Sequence, residues 1–494
     1  MRVSLVTHVI GVVVRVFGMM FLAPLMVSLY YGEYRDAMAF AGAAAVTSVA
    51  GHAMRQAGGR AAEEAVESMR RVEGLAIVSL SWLLIAWFAS IPYLWAGLGP
   101  IDALFESMSG LTTTGATILR DFSAYGRGIF FWRAFTQWIG GMGVIALFVA
   151  VLPRLAIGGR ELFFAEMPGP DDEKVAPQIR RTAALLWRLY AVLTLLQVVA
   201  LTMTGMPLFD SICNTFSTIS AAGFSPHPMS IGGYNNPAAE WVIIVFMFLA
   251  GANFAIQYRA VARHDFSILS KDEEFRAYAG VVLLATLVIG IVIWDTTDHH
   301  DSIRMALFHV LSILTTTGFV TTDINLWTDQ ARAVLLGLMF IGACAGSASG
   351  GPKVVRHVLL AKYTLQELRR TLHPRAVLPV KLGGRVVPPS IMQGVVVFFL
   401  FYMLTFAICA AVVIVLGADL VTGISAAAAA ISNVGPGFGA VGPMTTFADL
   451  HPVSRVALTL TMWIGRLEVI TVLVILRAEA WRTSRWSSSQ SAGA

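Results

Sequence analysis

The sequence predicts an all-α integral membrane protein of ten transmembrane helices. Eight of them form four pseudo-repeats of span, re-entrant pore helix with filter loop, and span around one central pore, and two extra helices precede these at the N-terminus. Three observations predict this fold. Of 494 residues, 56% are hydrophobic and 13% charged, against about 45–50% and about 25% in a soluble domain. Apolar windows of about 20 residues, enough to cross a hydrocarbon core about 30 Å thick, recur along the chain. Between the later windows lie four short glycine-bearing tracts whose key glycines are 108, 95 and 117 residues apart. The formal charge of +5 is too small and scattered for a nucleic-acid footprint. Cys213, Cys344 and Cys409 sit in separate apolar stretches and make neither a disulfide framework nor a metal cluster.

Taken in order, the window 3–30 opens with Arg2 and is interrupted by Arg15. Its length and the lack of a small-residue cleavage site mark a retained span rather than a signal peptide. With window 37–54 it makes the N-terminal pair, residues 1–72. The spans beginning near Gly74 and Gly128 bound the first repeat (73–160), and those near Thr182 and Pro237 the second (161–262). Those near Phe275 and Ala331 bound the third (263–385), and those near Met392 and Val453 the fourth with a cytoplasmic tail (386–494). Placing the N-terminus inside puts 25 Lys and Arg on the cytoplasmic side, 7 outside (Arg133 among them) and 3 within spans, which sets both termini inside.

The four tracts read SGLTTTGAT (109–117), FSTISAAGFS (216–225), SILTTTGFV (312–320) and AISNVGPGFG (430–439). A short segment precedes each, starting beside Asp102, Asp210, Asp301 or Asp419; an acid in the first turn of a helix is favourable against the macrodipole. A half-length helix followed by an extended strand cannot face lipid, because its backbone groups would lack partners, so it must line an axis holding water or ions. A dehydrated cation recovers its ligands from a ring of backbone carbonyls, and Gly, Thr, Ser and Ala permit the conformation and close approach that such a ring needs. No Lys or Arg falls in a tract, against anion selectivity. Helix-packing glycine explains one such tract but not four in register.

Two features belong below this ring. The span starting near Ala331 is broken at Gly342 by a Gly, Ala and Ser run through Gly351 and Pro352, which no ordinary helix continues through. Arg466 falls near the middle of the last window, where an arginine costs about 2.5–3.5 kcal/mol unless it faces the bundle interior or water. Glu468, two residues on, points elsewhere and is not its partner. Gly437, Gly439 and Gly442 match GxGxxG without the strand and helix of a nucleotide site. The run Asp298-His299-His300-Asp301 reads as a solvated helix cap rather than a metal site, and Phe398 to Tyr402 as lipid-facing or packing residues. No nucleophile and base pair stands out, so the chain is not expected to be an enzyme.

TTTGAT, AAGFS, TTTGF and SNVGPGFG, with QWIGGMGVIAL (137–147), GACAGSASGGPK (342–353) and WIGRLEV (463–469), resemble the Trk-type potassium uptake proteins (TrkH/TrkG-like) of the Trk/Ktr/HKT superfamily. The resemblance covers essentially the whole chain, and the two extra N-terminal spans are like the Trk branch. It implies K⁺ uptake across the bacterial inner membrane through a filter of carbonyls around Thr113, Thr114 and Gly115; Ala221, Ala222 and Gly223; Thr316, Thr317 and Gly318; and Asn433, Val434 and Gly435. Gly115 resembles the potassium-permeable members, whereas Ala221-Ala222-Gly223 departs from the usual Thr-Gly-Gly. The resemblance further implies that 342–353 is an intramembrane gating loop, with Gly342, Gly346, Ser347, Gly350, Gly351, Lys353 and Arg466 as gating residues, Arg466 being an electrostatic barrier on the pathway. It implies a homodimer, each chain with its own pore, on a cytoplasmic nucleotide-binding regulatory ring (TrkA-like), with no cofactor beyond the transported K⁺. The eight basic residues from Lys353 to Arg385 suit docking of that ring and serve equally well as anchors to anionic lipid. Two alternatives stay open: the ion-conducting subunit of a potassium-pumping ATPase, and an ion-coupled secondary transporter of an organic solute.

Overall fold

The computed structural model describes residues 1–59, 69–150, 175–294, 299–376, 378–469 and 471–472. At the N-terminus α1 (Val3–Gly18), a 3₁₀ turn and α2 (Leu22–Tyr30) make one apolar rod against α3 (Tyr34–Gly58). The rods touch through backbone: a Cβ on Gly11 would lie 2.8 Å from Gly51 O, and one on Gly51 2.8 Å from Gly11 O. Small residues allow such crossings where lipid supplies no hydrophobic drive between helices.

Next come α4 (Arg71–Ala89), α5 (Ile91–Trp95), α6 (Pro100–Leu111) and α7 (Arg127–Ala150). Then follow α8 (Val175–Met203), α9 (Leu208–Ile219), α10 (Pro237–Gly251) and α11 (Phe254–Ala262). The third group is α12 (Ser267–Lys271), α13 (Glu273–Val292), α14 (His299–Leu314), α15 (Asp329–Met339) and α16 (Val354–Leu372). After the antiparallel hairpin β1 (Lys381–Leu382) and β2 (Arg385–Val386) come α17 (Pro389–Val415), α18 (Leu420–Ser432) and α19 (Pro452–Leu467). Proline begins α6, α10, α17 and α19, where its missing N–H would have no partner anyway. Asp102, Asp210 and Asp301 stand in the first turns of α6, α9 and α14, and Asp419 caps α18.

Helices α6, α9, α14 and α18 have 12, 12, 16 and 13 residues, about 18–24 Å at 1.5 Å per residue and too short to cross a bilayer. Each packs against chain neighbours and one distant helix. The distant partner is α19 for α6, α7 for α9, α10 for α14 and α15 for α18. The contacts therefore run in a cycle that closes from the last helix back to the first short one.

Among the described residues six helices are long and apolar enough to cross a membrane, seven if the bent pair 237–262 counts as one. The other windows correspond to α7, α15 and α19. Two expectations change. The window at Pro237 is two helices meeting at 101°, because Asn253 Oδ1 accepts from Ala255 N (2.8 Å) and starts α11 afresh. The break expected at Gly342 begins earlier, at the Phe340 cap of α15. α19 ends at Leu467, before Glu468 at φ +64°, which puts Arg466 in its last turn, and helical residues resume at Val469. The basic stretch after Lys353 folds into α16 and the hairpin. Phe398 and Tyr402 are buried, while Leu400 faces outward.

Candidate functional site

The site begins where the four short helices end. Thr113, Ala221, Thr316 and Asn433 have φ of +53°, +53°, +60° and +56°. Their N–H groups donate to Gly110, Thr218, Ile313 and Ala430 carbonyls at 3.1, 3.0, 3.1 and 3.3 Å. Thr114, Ala222 and Val434 then donate to Ser109, Ser217 and Ala429 carbonyls at 2.9, 2.8 and 2.9 Å. This left-handed cap usually uses Gly or Asn. Only Asn433 fits that preference; the β-branched Thr113 and Thr316 pay for the conformation with strain, held in place by burial on all sides.

Two residues past each cap stands a key glycine, and the four meet. A Cβ on Gly115 would lie 2.7 Å from Gly223 N, one on Gly223 2.6 Å from Thr317 O, and one on Gly435 2.6 Å from Thr114 O. A Cβ on Gly318 would collide with Val434 O. The four tracts thus form a closed ring in chain order, with backbone carbonyls of Thr114, Thr317 and Val434 each against the glycine of the tract before it in that cycle. Gly115, Gly318 and Gly435 also have positive φ (82°, 76° and 103°). Asn433 Nδ2 ties the ring, donating to Thr114 Oγ1 and Met462 O, both at 2.9 Å. A cavity of about 60 Å³ sits on the ring, lined by Gly115, Gly223, Gly318 and Pro436 among others. The QWIGGMG and WIGRLEV motifs gain a reason here: a Cβ on Gly140 or Gly465 would strike the Leu111 or Ile431 carbonyl at the ends of α6 and α18.

At the N-terminal start of α18, the Thr422 hydroxyl and the N–H groups of Thr422 and Val421 hold the Asp419 carboxyl below the ordinary carboxylate range. The carbonyl ends of the four short helices converge instead on the ring, where a helix carries about half a negative charge.

The segment after α15 lies against the ring. Gly350 N donates to Thr316 Oγ1 (2.7 Å), and Arg466 Nη2 to Ala348 O (3.1 Å). Cys344 N and Ala348 N reach Gly251 O and Ala250 O, and Phe254 N reaches Gly346 O, so the break between α10 and α11 is where this segment docks. Glu274 Oε1 accepts from both flanks of the segment, Ala345 N (2.6 Å) and Val355 N (3.2 Å). Gly342, Gly346 and Gly351 have φ of +74°, +72° and +71°, and Gly342 and Gly351 lie against each other. Ser347 Oγ bonds Cys344 O (2.6 Å) and Ser349 Oγ (2.8 Å), and the buried Lys353 ammonium donates to the Ser349 carbonyl and hydroxyl. Glu468 pairs with Arg356 Nη2 at 2.5 Å, away from Arg466.

The ring residues and segment residues named from the sequence therefore lie together. Sequence reasoning missed Glu274, Asn253 and Glu106. Asn253 was findable as an N-cap before Phe254, whereas the other two declare themselves only through distant partners. Arg133, on the second turn of α7, is 2% exposed and paired with Glu106 at 2.7 Å. Of the run 298–301, Asp298 lies outside the described residues; Asp301 pairs with Arg304 at 2.9 Å. Among the described residues no group of three or more His, Cys, Asp or Glu gathers as a metal site.

The chain resembles known proteins along nearly its whole length. The family model for TrkH, a cation transport protein, matches residues 60–483. The Trk system potassium uptake protein TrkH of Salmonella typhimurium is 36% identical over 492 residues, 98% of this chain and 100% of that protein. TrkG of Escherichia coli, also a Trk system potassium uptake protein, is 35% identical over 98% of this chain and 99% of its own. The crystal structure of the potassium transporter TrkH from Vibrio parahaemolyticus superposes with a TM-score of 0.88 at 35% identity, covering 98% of this chain and 100% of that one.

Proposed function

The chain belongs to the TrkH family of cation transport proteins, and from that premise we propose that it takes up potassium across the bacterial inner membrane. The family is one of transporters, and the chain is not an enzyme. The observation that carries the reading is the closed ring of Gly115, Gly223, Gly318 and Gly435. Each of the ten windows crosses the membrane, the last eight as four pseudo-repeats with the bounds given above, and the termini are cytoplasmic.

Thr113 to Gly115, Ala221 to Gly223, Thr316 to Gly318 and Asn433 to Gly435 supply the carbonyls that replace the water of a dehydrated K⁺. Neutral carbonyl oxygens gathered around the ring compensate dehydration without a full charge that would hold the ion too tightly. The four helix ends add negative potential at the same place. The side chains of Ala221 and Ala222 are not needed as ligands, so the departure in the second tract leaves the ring's chemistry unchanged. The loop 342–353 closes the inner side. Its bonds to Thr316, Arg466 and Glu274 support that role, and the Arg466 guanidinium puts a positive charge where a cation must leave. Opening requires the loop to part from these three anchors, under control of a cytoplasmic nucleotide-binding ring docked on α16 and the hairpin. Two chains associate, each with its own pore.

The test is cation flux in liposomes, comparing K⁺, Rb⁺, Na⁺ and Li⁺ under an imposed voltage. K⁺ and Rb⁺ are expected to pass well ahead of Na⁺ and Li⁺. Saturable uptake of an organic solute with no K⁺ current would overturn the reading.

A further inference from the structure

Glu106 sits nine residues before Gly115 on α6 and is fully buried. Its carboxylate accepts from Ile118 N (2.9 Å), the Thr117 hydroxyl (3.0 Å) and Arg133 Nε (2.7 Å). One side chain thus joins the helix to the limb that leaves Gly115. Arg133 continues the network: Nη2 donates to Thr117 Oγ1 (3.1 Å), Nη1 to Ser225 O (3.4 Å), and the guanidinium lies 4.0 Å from the centre of the Phe224 ring. It therefore holds the outer limbs of the first and second tracts to one another, and it also lines the cavity on the ring.

The same position ahead of the other key glycines carries Asn214, His309 and Ala426. His309 Nε2 accepts from Thr321 N at 3.4 Å, an uncharged counterpart of the Glu106 to Ile118 tie. The charged version occurs in the first tract alone. Arginine's rigid fork fixes two limbs at once, yet a bare cation at the mouth of a cation pathway would repel the ion it serves. A buried carboxylate beside it cancels that charge.

Resting on the potassium reading above, we infer that Glu106 and Arg133 are a positioning pair at the outer mouth: Arg133 sets the spacing of the first two tracts, and Glu106 neutralises it so that K⁺ enters. Neither touches the ion in this reading, so the readouts must separate charge from shape.

The experiment measures K⁺ flux against K⁺ concentration, and K⁺ over Na⁺ preference, for Glu106→Gln, the double variant Glu106→Gln/Arg133→Gln, and Arg133→Lys in liposomes. Glu106→Gln keeps an acceptor for Ile118 N but leaves the guanidinium unbalanced. Its half-saturating K⁺ concentration is expected to rise about tenfold, and the double variant to return to within about threefold of wild type. Arg133→Lys keeps the charge and loses the fork, so half-saturation stays while the preference for K⁺ falls. Where flux is lost, K⁺-dependent thermal stabilisation of the purified protein reports ion binding directly. Wild-type half-saturation in Glu106→Gln, a double variant no better than the single, or unaltered preference in Arg133→Lys would overturn the inference. Lack of K⁺ flux in the wild type would instead sink the potassium reading itself.

Discussion

Removing the Asn433 amide opens the ring at one joint. Its two hydrogen bonds, to Thr114 Oγ1 and Met462 O, join the fourth tract to the first tract and to α19. Net contributions of about 1 kcal/mol per bond in water, or about 0.6 kcal/mol inside membrane proteins, give about 1–2 kcal/mol for the pair. Asn433→Gly loses these bonds but keeps φ +56° at no steric cost. Asn433→Ala loses them and adds about 1–2 kcal/mol for a Cβ in the left-handed region, about 2–4 kcal/mol in all. A loss of 1–2 kcal/mol multiplies the population of displaced rings about five- to thirty-fold. The readout is Na⁺ flux relative to K⁺ in liposomes, with thermal unfolding in detergent alongside. The relative Na⁺ flux should rise in the order wild type, Gly, Ala, and thermal stability fall in the same order. Glycine matching wild type in both would refute the claim that these bonds hold the ring. Alanine no worse than glycine would refute the strain component.

Three further outcomes follow from the proposed gate. Arg466→Ala, removing the cation proposed as its barrier, should raise resting flux at least about tenfold, or 1.4 kcal/mol of barrier, in liposomes without regulatory subunits; unchanged flux counts against Arg466 as the barrier. Glu274→Ala removes the acceptor shared by Ala345 N and Val355 N, at about 0.5–1.5 kcal/mol for each hydrogen bond. The buried Cys344 thiol should then react faster with a maleimide in a Cys213→Ser/Cys409→Ser background, and an unchanged rate would show that Glu274 does not hold the loop. Arg369→Gln/Arg370→Gln should weaken binding of the regulatory ring in detergent, whereas intact ring binding with weaker binding to anionic vesicles, about 1 kcal/mol per charge, would assign α16 to lipid.

The parts of the site legible in sequence are those written locally. A glycine two residues beyond a helix end, an acid at the helix start and an unbroken apolar window each need only a few neighbouring residues, so Gly115, Asp102 and α17 could be read directly. The turn inside the window at Val453 was not legible, because hydropathy continues past Glu468 although the backbone turns there. Glu274 and Glu106 were illegible for another reason. A carboxylate inside a bilayer must find a partner, and the sequence does not say which: Glu274 finds Ala345 and Val355, 71 and 81 residues away, and Glu106 finds Arg133, 27 away. The order of tracts around the ring was likewise a matter of tertiary contact.

The cycle of helix contacts bears on how the protein is made. The first short helix, α6, meets its distant support only when α19 arrives, joined by the Arg455 to Asp102 ion pair across 353 residues of sequence. A chain emerging from the ribosome therefore carries its first tract into the bilayer with one flank missing and its backbone groups without final partners. Biogenesis must shield that flank until translation is almost complete, and the last joint to close is the one between α19 and α6. A lesion in α19 should then act as an assembly defect of the whole ring, felt first at Thr114 and Gly115, hundreds of residues upstream of the change.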